Sequence, residues 1–244
     1  MARKVYRYDT IGSTNDEAKR LAALGEPEGT LVVADSQTAG RGRSGRPWIT
    51  PPGSALALTL ILRPTIPAVH VGQIALLGGL AAVEGIQTTT GLRPQLKWPN
   101  DVLIGGKKVC GVLAEAAFAG DKLDFVVLGM GVNVNAGPPP ELTLAYPATC
   151  LADEVGHDLD REAVLEAILN SFDARYPQLG TPSLAAAWSE HLAMRGQVVL
   201  AISEGAEAVA GRLEGVTGEG AVVLRLENGE TCTLVAGELH LREL

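Results

Sequence analysis

The stretch Ala55-Leu56-Ala57-Leu58-Thr59-Leu60-Ile61-Leu62 is apolar on both faces when it is laid out as a strand. A strand with one wet face alternates polar and apolar residues. A run without that alternation, stopped by Arg63-Pro64, predicts a strand buried at the centre of a sheet. A second strand-like run, Thr30-Leu31-Val32-Val33-Ala34-Asp35, comes before it. Between the two lies Gly40-Arg41-Gly42-Arg43-Ser44-Gly45-Arg46-Pro47-Trp48, with three arginines and three glycines in nine residues. Glycine lets a backbone take positive φ and approach a ligand closely. Arginine supplies a planar fork of donors suited to carboxylate or phosphate oxygens. The loop is expected to be an anion clamp that stays mobile until filled, although a solvated turn or a nucleic-acid contact would use the same residues.

Working outward, Val5 to Tyr8 reads as a short edge strand and Ser13 to Gly25 as a helix. Ser13 or Thr14 is placed to cap that helix, acidic residues fill its first turn, and Gly25 ends it. Downstream, Val69 to about Thr88 has helical periodicity, and Gly78, Gly79, Ala81 and Ala82 permit close packing on a sheet. Val102-Leu103-Ile104 and Val109 to Glu115 read as a hairpin around Gly105-Gly106, and Leu123 to Asn135 as a further strand. This order predicts an α+β fold, a mixed sheet with packed helices. A loop runs from Pro138-Pro139-Pro140 to Thr149, Asp160 caps a helix to about Tyr176, and Ser183 to Met194 makes another. From Gly196 onward the texture changes to short strands: Val198–Leu200, Ala208–Leu213, Ala221–Leu226, Thr231–Val235 and Leu239–Arg242. Their Gly-rich turns predict a small β-barrel. The chain is thus expected to divide into a large domain, residues 1–194, and a barrel, residues 195–244.

A length of 244 residues suits one large domain with a small appendage. The formal charge of −8 excludes bulk binding to nucleic acid or to an anionic membrane. Against that background the arginine loop is a local positive site, which favours a small anionic ligand. Cys110, Cys150 and Cys232 are odd in number and lack CxxC spacing, so they read as reduced thiols of a cytoplasmic protein. His70, His157, His191 and His240 are far apart and offer no metal-binding pattern. No apolar run approaches the ~18–20 residues of a membrane span, and Met1-Ala2-Arg3-Lys4 does not lead into a signal peptide.

Several residues could carry chemistry. By alternation Lys108 shares a face with Cys110, Val112 and Ala114, where a lysine needs an anion to neutralise it; an exposed hairpin lysine is the other reading. Asn100 and Asp101 suit a clasp for ribose or Mg²⁺, and equally suit turn chemistry after Pro99. Trp48 can stack on an aromatic base or plug the core. Gln37 offers donor and acceptor together, as a planar amide-like or ureido group requires. No Ser-His-Asp, Cys-His or paired-carboxylate arrangement stands out. That favours a reaction whose substrate brings its own nucleophile while the protein supplies position and positive charge. Attack of a carboxylate on the α-phosphate of ATP fits.

Taken together, Ser13-Thr14-Asn15, Ser36-Gln37-Thr38-Ala39-Gly40-Arg41-Gly42-Arg43, Trp48, Lys97-Trp98-Pro99-Asn100-Asp101, Lys108-Val109-Cys110-Gly111-Val112-Leu113-Ala114-Glu115 and Gly129-Met130-Gly131-Val132-Asn133 resemble the biotin–protein ligases. The resemblance covers nearly the whole chain. It implies the catalytic fold of that family, class II synthetase-like and shared with lipoyl ligases, followed by its SH3-like C-terminal barrel. It also implies activation of biotin by ATP and Mg²⁺ to biotinyl-5′-adenylate, then transfer to a lysine of the biotin carboxyl carrier protein of acetyl-CoA carboxylase.

Carried over residue by residue, the resemblance puts Ser13, Thr14 and Gln37 at the ureido end of biotin, with Asn15, Gly40, Gly42 and Gly111 completing the biotin set. It puts Arg41 and Arg43 over the carboxylate and phosphate, and Lys108 at the reacting groups. Arg43, Trp48, Lys97, Asn100, Asp101 and Asn133 fall on the nucleotide side, with Asp101 the candidate Mg²⁺ ligand. Ser44 stands where many relatives carry arginine, and Cys110 where alanine is common. With a strand beginning by Val5, the chain resembles the monofunctional class, for which no DNA partner is expected; a homodimer is left open. The alternatives are a lipoate–protein ligase, which would be expected to lack this form of the arginine loop, and a nucleic-acid-binding module, against which the −8 charge and 4% aromatic content weigh.

Overall fold

The computed structural model describes residues 3–139, 142, 146–202, 208–235 and 240–243. Parts of the sequence expectations lie outside these: Met1-Ala2, Pro140 and part of the loop after it, and Leu239. The chain runs β1 (Val5–Ile11), α1 (Thr14–Ala23), β2 (Leu31–Gln37), β3 (Ala55–Leu62), α2 (Gln73–Thr90), β4 (Gln95–Lys97), β5 (Asp101–Ile104), β6 (Lys107–Ala119), β7 (Lys122–Asn133), α3 (Leu151–Val155), α4 (Arg161–Arg175), α5 (Pro182–Glu190), β8 (Val198–Ile202), β9 (Val209–Val216), β10 (Val222–Arg225), β11 (Thr231–Leu234) and β12 (His240–Glu243).

The first seven strands form one mixed sheet, ordered β1-β2-β3-β7-β6-β5-β4. β1 lies parallel to β2 through the α1 crossover, and the remaining neighbours are antiparallel. All eight residues of β3 are buried, as its unbroken apolar run requires. Alternate residues serve two cores. Leu58, Leu60 and Leu62 join the large cluster under α2 and α4, whereas Ile61 packs with Val32, Phe125 and Val127 against Ala18, Leu21 and Ala22 of α1. α1 covers only part of its face of the sheet, and the uncovered part becomes the site.

Helix punctuation follows the chemistry of the ends. The Asp160 carboxylate accepts from Glu162 N at 2.9 Å and caps α4. α5 stops at Glu190, four residues short of the sequence expectation, and Met194 then takes a positive φ of 60°. The region Ala68–Thr90 is long and apolar enough to cross a membrane, with a mean hydropathy of 1.5. This corrects the sequence reading. The same window is 67% buried inside the protein, as a core helix is. Cys110 and Cys150 are buried free thiols, and burial pushes the Cys110 thiol up to about 12.

The last five strands form an antiparallel sheet ordered β11-β10-β9-β8-β12, with no closing pair between β11 and β12 among the described residues. Val199, Leu213, Val222 and Leu224 share one apolar core with Trp98, Leu184 and Trp188. Polar bonds stitch the seam. The Trp98 indole donates to Gly220 O at 2.9 Å, the Gln73 amide donates to Gly218 O, and Val216 N donates to Ser189 Oγ at 3.3 Å.

α2 and α4 cross at Gly85, where a Cβ would lie 2.6 Å from Ile168 N and 2.7 Å from Ile168 Cα. The neighbour is backbone and cannot swing aside. Gly85→Ala should therefore lose more by prying the helices apart, about 1–3 kcal/mol, than the ~1 kcal/mol it gains in helix propensity. Urea denaturation would read the net loss; a Gly85→Ala variant as stable as the parent would contradict this packing.

Candidate active-site cleft

The cleft forms where neighbouring strands carry no bulky side chain. Ala57, Gly131, Gly111 and Asp101 stand in one row across β3, β7, β6 and β5. Thr59 and Gly129 stand in the next. A Cβ on Gly131 would collide with the Trp48 indole, and one on Gly129 with the Asn15 carboxamide. The missing side chains leave a trough of about 320 Å³.

The start of α1 supplies one end of this trough. Ser13, Thr14 and Asn15 are buried there. Ser13 sits at the N-cap, but no side chain caps the helix, so the capping expectation fails. The hydroxyl of Thr14 is turned into the site instead. Thr14 N and Oγ1 both donate to Gln37 Oε1, at 2.8 and 3.1 Å. Thr59 Oγ1 lies 2.9 Å from Thr14 Oγ1 and 2.7 Å from Asn15 Oδ1. Asn15 Nδ2 donates to Glu115 Oε2 at 2.7 Å. With its oxygen occupied twice, Gln37 has its amide N–H groups left to offer a ligand. The end is polar and uncharged, a match for a flat neutral group with its own donors and acceptors.

Gly40–Trp48 arches over the middle as a folded hairpin. Arg41 pairs with Pro47 across it, Gly42 N donates to Arg46 O at 2.7 Å, and Trp48 N to Gly40 O at 2.9 Å. Its tip, Ser44 (φ 54°) and Gly45 (φ 71°), is left-handed at two successive residues, with Arg46 N bonded to Arg43 O at 3.2 Å. That is a type I′ turn, whose twist suits a hairpin. Gly40 is required, since a Cβ there would lie 2.6 Å from Trp48 O. Arg41 grips Asp16 bidentately, Nη1–Oδ2 2.8 Å and Nη2–Oδ1 2.5 Å. This hydrogen-bonded pair holds the Asp16 carboxyl below its ordinary range.

Lys108 lies at the centre. Its Nζ is 2.5 Å from Asp101 Oδ1 and 5.7 Å from the Trp48 ring centroid. The face assigned to it from alternation is wrong. The register between β5 and β6 slips at Val109, because Val102 pairs with Cys110 while Leu103 pairs with Lys108. This bulge turns Lys108 onto the side of Gly111, and Cys110 and Val112 enter the core on the other.

Beyond Lys108, Lys97 is buried with its Nζ 4.9 Å from the Tyr146 ring. Asn100 donates to Val112 O of β6 at 2.7 Å, a bond across to another strand and not a local turn bond. Asn133 donates to Thr149 O at 2.9 Å. Its Oδ1 and the Trp48 Nε1 are buried without partners, an orphan acceptor and an orphan donor on the walls of one cleft.

All of the site residues proposed from the sequence line the cleft except Gly40, which works behind the hairpin. Among the described residues, five cations (Arg41, Arg43, Arg46, Lys97, Lys108) face it against a single carboxylate, Asp101. Sequence reasoning missed Asp16, Thr59, Glu115 and Tyr146. Thr59 had a signal, as the one hydroxyl in an apolar strand. Tyr146 had none. Among the described residues no three His, Cys, Asp or Glu side chains gather as a metal cage. Mg²⁺ fits here only as an ion carried largely by phosphates with Asp101 as a single protein carboxylate, a mode that Mg²⁺ favours.

Comparison with known proteins agrees with this geometry. The chain is 43% identical over 179 residues to the bifunctional ligase/repressor BirA of Bacillus subtilis, a match that spans 72% of this chain but only about half (54%) of that protein. It is 37% identical over 221 residues to the biotin–[acetyl-CoA-carboxylase] ligase of Paracoccus denitrificans, covering 87% of this chain and 90% of that one. The fold superposes on the biotin protein ligase from Aquifex aeolicus in complex with biotin and ATP with a TM-score of 0.85, at 30% identity and 99% coverage of both chains. The profile of the biotin/lipoate A/B protein ligase family matches residues 9–133, the stretch from β1 through β7 that builds the cleft. The chain belongs to the biotin/lipoate A/B protein ligase family.

Proposed function

We propose that this chain is a biotin–protein ligase that converts biotin and ATP to biotinyl-5′-adenylate and pyrophosphate, then passes the biotinyl group to a lysine of a carrier protein. One observation carries the reading. A single cleft holds a neutral polar end at Thr14 and Gln37, a cation at Lys108, and two buried polar atoms without partners, Trp48 Nε1 and Asn133 Oδ1. That set matches a cyclic urea, a carboxylate and a nucleotide. The names of the Paracoccus denitrificans and Mycobacterium tuberculosis relatives, biotin–[acetyl-CoA-carboxylase] ligases, support the carrier of that carboxylase as the acceptor.

In the first step the biotin carboxylate oxygen attacks the α-phosphorus, and the bond to the β-phosphate bridge breaks with release of pyrophosphate. Both reactants are anionic, so the protein must relieve their repulsion. Lys108 does so at the point of attack, and Arg41 and Arg43 do so from the hairpin. Asp101, 2.5 Å from its Nζ, keeps Lys108 aimed. Lys97, Asn100, Asp101, Trp48 and Asn133 form the nucleotide wall, and Mg²⁺ would offset charge on the phosphates from the Asp101 side. In the second step the acceptor amine attacks the carbonyl of the mixed anhydride, AMP leaves, and the amine sheds a proton. The catalytic unit is residues 1–194, and residues 195–244 are the appended unit that braces it.

Lipoate is the less fitting substrate. Its dithiolane has no hydrogen-bonding groups and would leave the Gln37 amide N–H groups facing sulfur, a mismatch of the kind that rejects analogues by about 10⁴-fold or more. Pyrophosphate exchange into ATP should therefore depend on biotin. Exchange supported by lipoate and not by biotin would reverse the assignment within the family.

Lys108→Ala should lower the rate of adenylate formation by about 10²–10³, the scale of one removed electrostatic stabiliser, with the fold intact by circular dichroism. Full turnover in that variant would hand the role to Lys97.

Arg43→Gly should still form adenylate but release it about 10–100-fold faster, the effect of one lost charge-assisted hydrogen bond. Biotin appearing on albumin in the presence of the variant and ATP would report the leak. Adenylate held at the parent rate would mean that the hairpin does not retain the intermediate.

A further inference from the structure

Asp16 takes no part in lining the cleft, yet it holds the first arginine of the hairpin in a two-point grip, at 2.8 and 2.5 Å. It follows Thr14 and Asn15 directly in the first turn of α1. Lys19 lies 3.9 Å from Asp16 and 2.5 Å from Glu115, and Glu115 accepts from Asn15 at 2.7 Å. Signs alternate along this path from Arg41 through Asp16, Lys19 and Glu115 to the Asn15 carboxamide. The base of the hairpin is fixed by backbone bonds, Thr38 N to Ile11 O at 2.9 Å and Ala39 N to Gly12 O at 2.8 Å. Past Gly40 the chain is glycine-rich and free to swing on those bonds. The Arg41–Asp16 fork ties that freer part to a helix.

We propose that Asp16 is a positioning residue: through Arg41 it latches the arginine hairpin to the first turn of α1, the same turn that forms the polar end of the cleft. Resting on the ligase reading above, this makes Asp16 a determinant of how long the enzyme retains biotin and its adenylate, because escape requires the hairpin to lift. Asp16 itself touches neither substrate nor reacting atoms. Its effect falls on binding and release and leaves the bond-making step alone. The pair is about half exposed, so its strength is that of a screened ion pair and its loss should change rates by about two- to five-fold.

The test uses the intact chain in five forms: parent, Asp16→Asn, Asp16→Glu, Arg41→Ala, and the Asp16→Asn/Arg41→Ala double variant. Hydrogen exchange of the Gly42 and Trp48 amides, bonded across the hairpin, is read without any substrate. Release of preformed biotinyl-adenylate and the KM and kcat of pyrophosphate exchange are read separately. Asp16→Asn should speed amide exchange and adenylate release about two- to five-fold and raise KM for biotin, with kcat within two-fold of the parent. Asp16→Glu should recover most of each loss, and high salt should shrink the difference. In the Arg41→Ala background the Asp16 change should add nothing, since its partner is gone. Unaltered amide exchange in Asp16→Asn, faster exchange with unaltered release, or effects that add in full on Arg41→Ala would each overturn the proposal. The substrate-free readout separates its failure from a failure of the ligase reading, which would show as a parent protein with no biotin-dependent exchange.

Discussion

The site depends on what three glycines lack. Gly111, Gly129 and Gly131 stand side by side on β6 and β7, on the face that α1 only partly covers. Side chains there would fill the layer above the sheet, as they do under Ala18, Leu21 and Ala22. Without Cβ atoms, the Trp48 indole lies down on the strands and the Asn15 carboxamide reaches in to meet Thr59. A pocket made in this way is rigid, since its floor is the hydrogen-bonded backbone of central strands and has few rotamers to reorder. It also imposes a cost, because it buries Trp48 Nε1 and Asn133 Oδ1 with nothing in the protein to answer them. Such atoms are tolerated where a ligand completes the set.

Charge is handled by the same logic of prepared positions. A protein of net charge −8 gathers five cations round one cleft, and left bare they would repel one another. The structure lends some of them counterions. Asp16 takes Arg41 and Asp101 takes Lys108. Asp16 stands outside the cleft, so Arg41 keeps its partner while it faces a ligand. Asp101 stands inside, so an anion bound beside Lys108 would have to share it with that carboxylate. Two like charges about 4 Å apart repel by about 4 kcal/mol at an effective dielectric of 20, which is the scale on which that sharing is settled and on which a cation at the phosphates would help.

Legibility in the sequence tracked the range of the interaction. Ala55–Leu62 could be read to the residue because two-sided burial leaves a local mark, and the Asp160 cap because its partner is two residues away. The Arg41–Asp16, Asn15–Glu115 and Thr14–Gln37 pairs join residues 25, 100 and 23 positions apart. Composition alone cannot show such pairs, and only the motifs taken together brought most of these residues to attention. Lys108 shows a different limit. Counting alternate residues assumes one-to-one pairing, and the bulge at Val109 inserts one residue and reverses the face. The lysine does face the cleft, but not by the alternation that was counted. Ser13 and Thr14 were ambiguous for a third cause. A hydroxyl beside a helix start serves equally as a cap or as a ligand contact, and only the position of Gln37 decides between them.

The small C-terminal sheet acts on the cleft from behind. Lys97 ends β4, Asp101 begins β5, and Asn100 lies on the short connection between them. It is held at each step by something distant. Leu96 exchanges backbone bonds of 2.8 Å with His191 and Ala193, the Trp98 indole reaches Gly220 at 2.9 Å, and Asn100 bonds Val112 through both backbone and side chain. Trp98 is fully buried in a core to which Val199, Leu213 and Val222 of the second sheet contribute. Removing those contacts would leave a large aromatic side chain exposed between Lys97 and Asp101. Among the described residues the C-terminal sheet thus contributes none to the lining of the cleft, and its packing still sets where Lys97 and Asp101 can be.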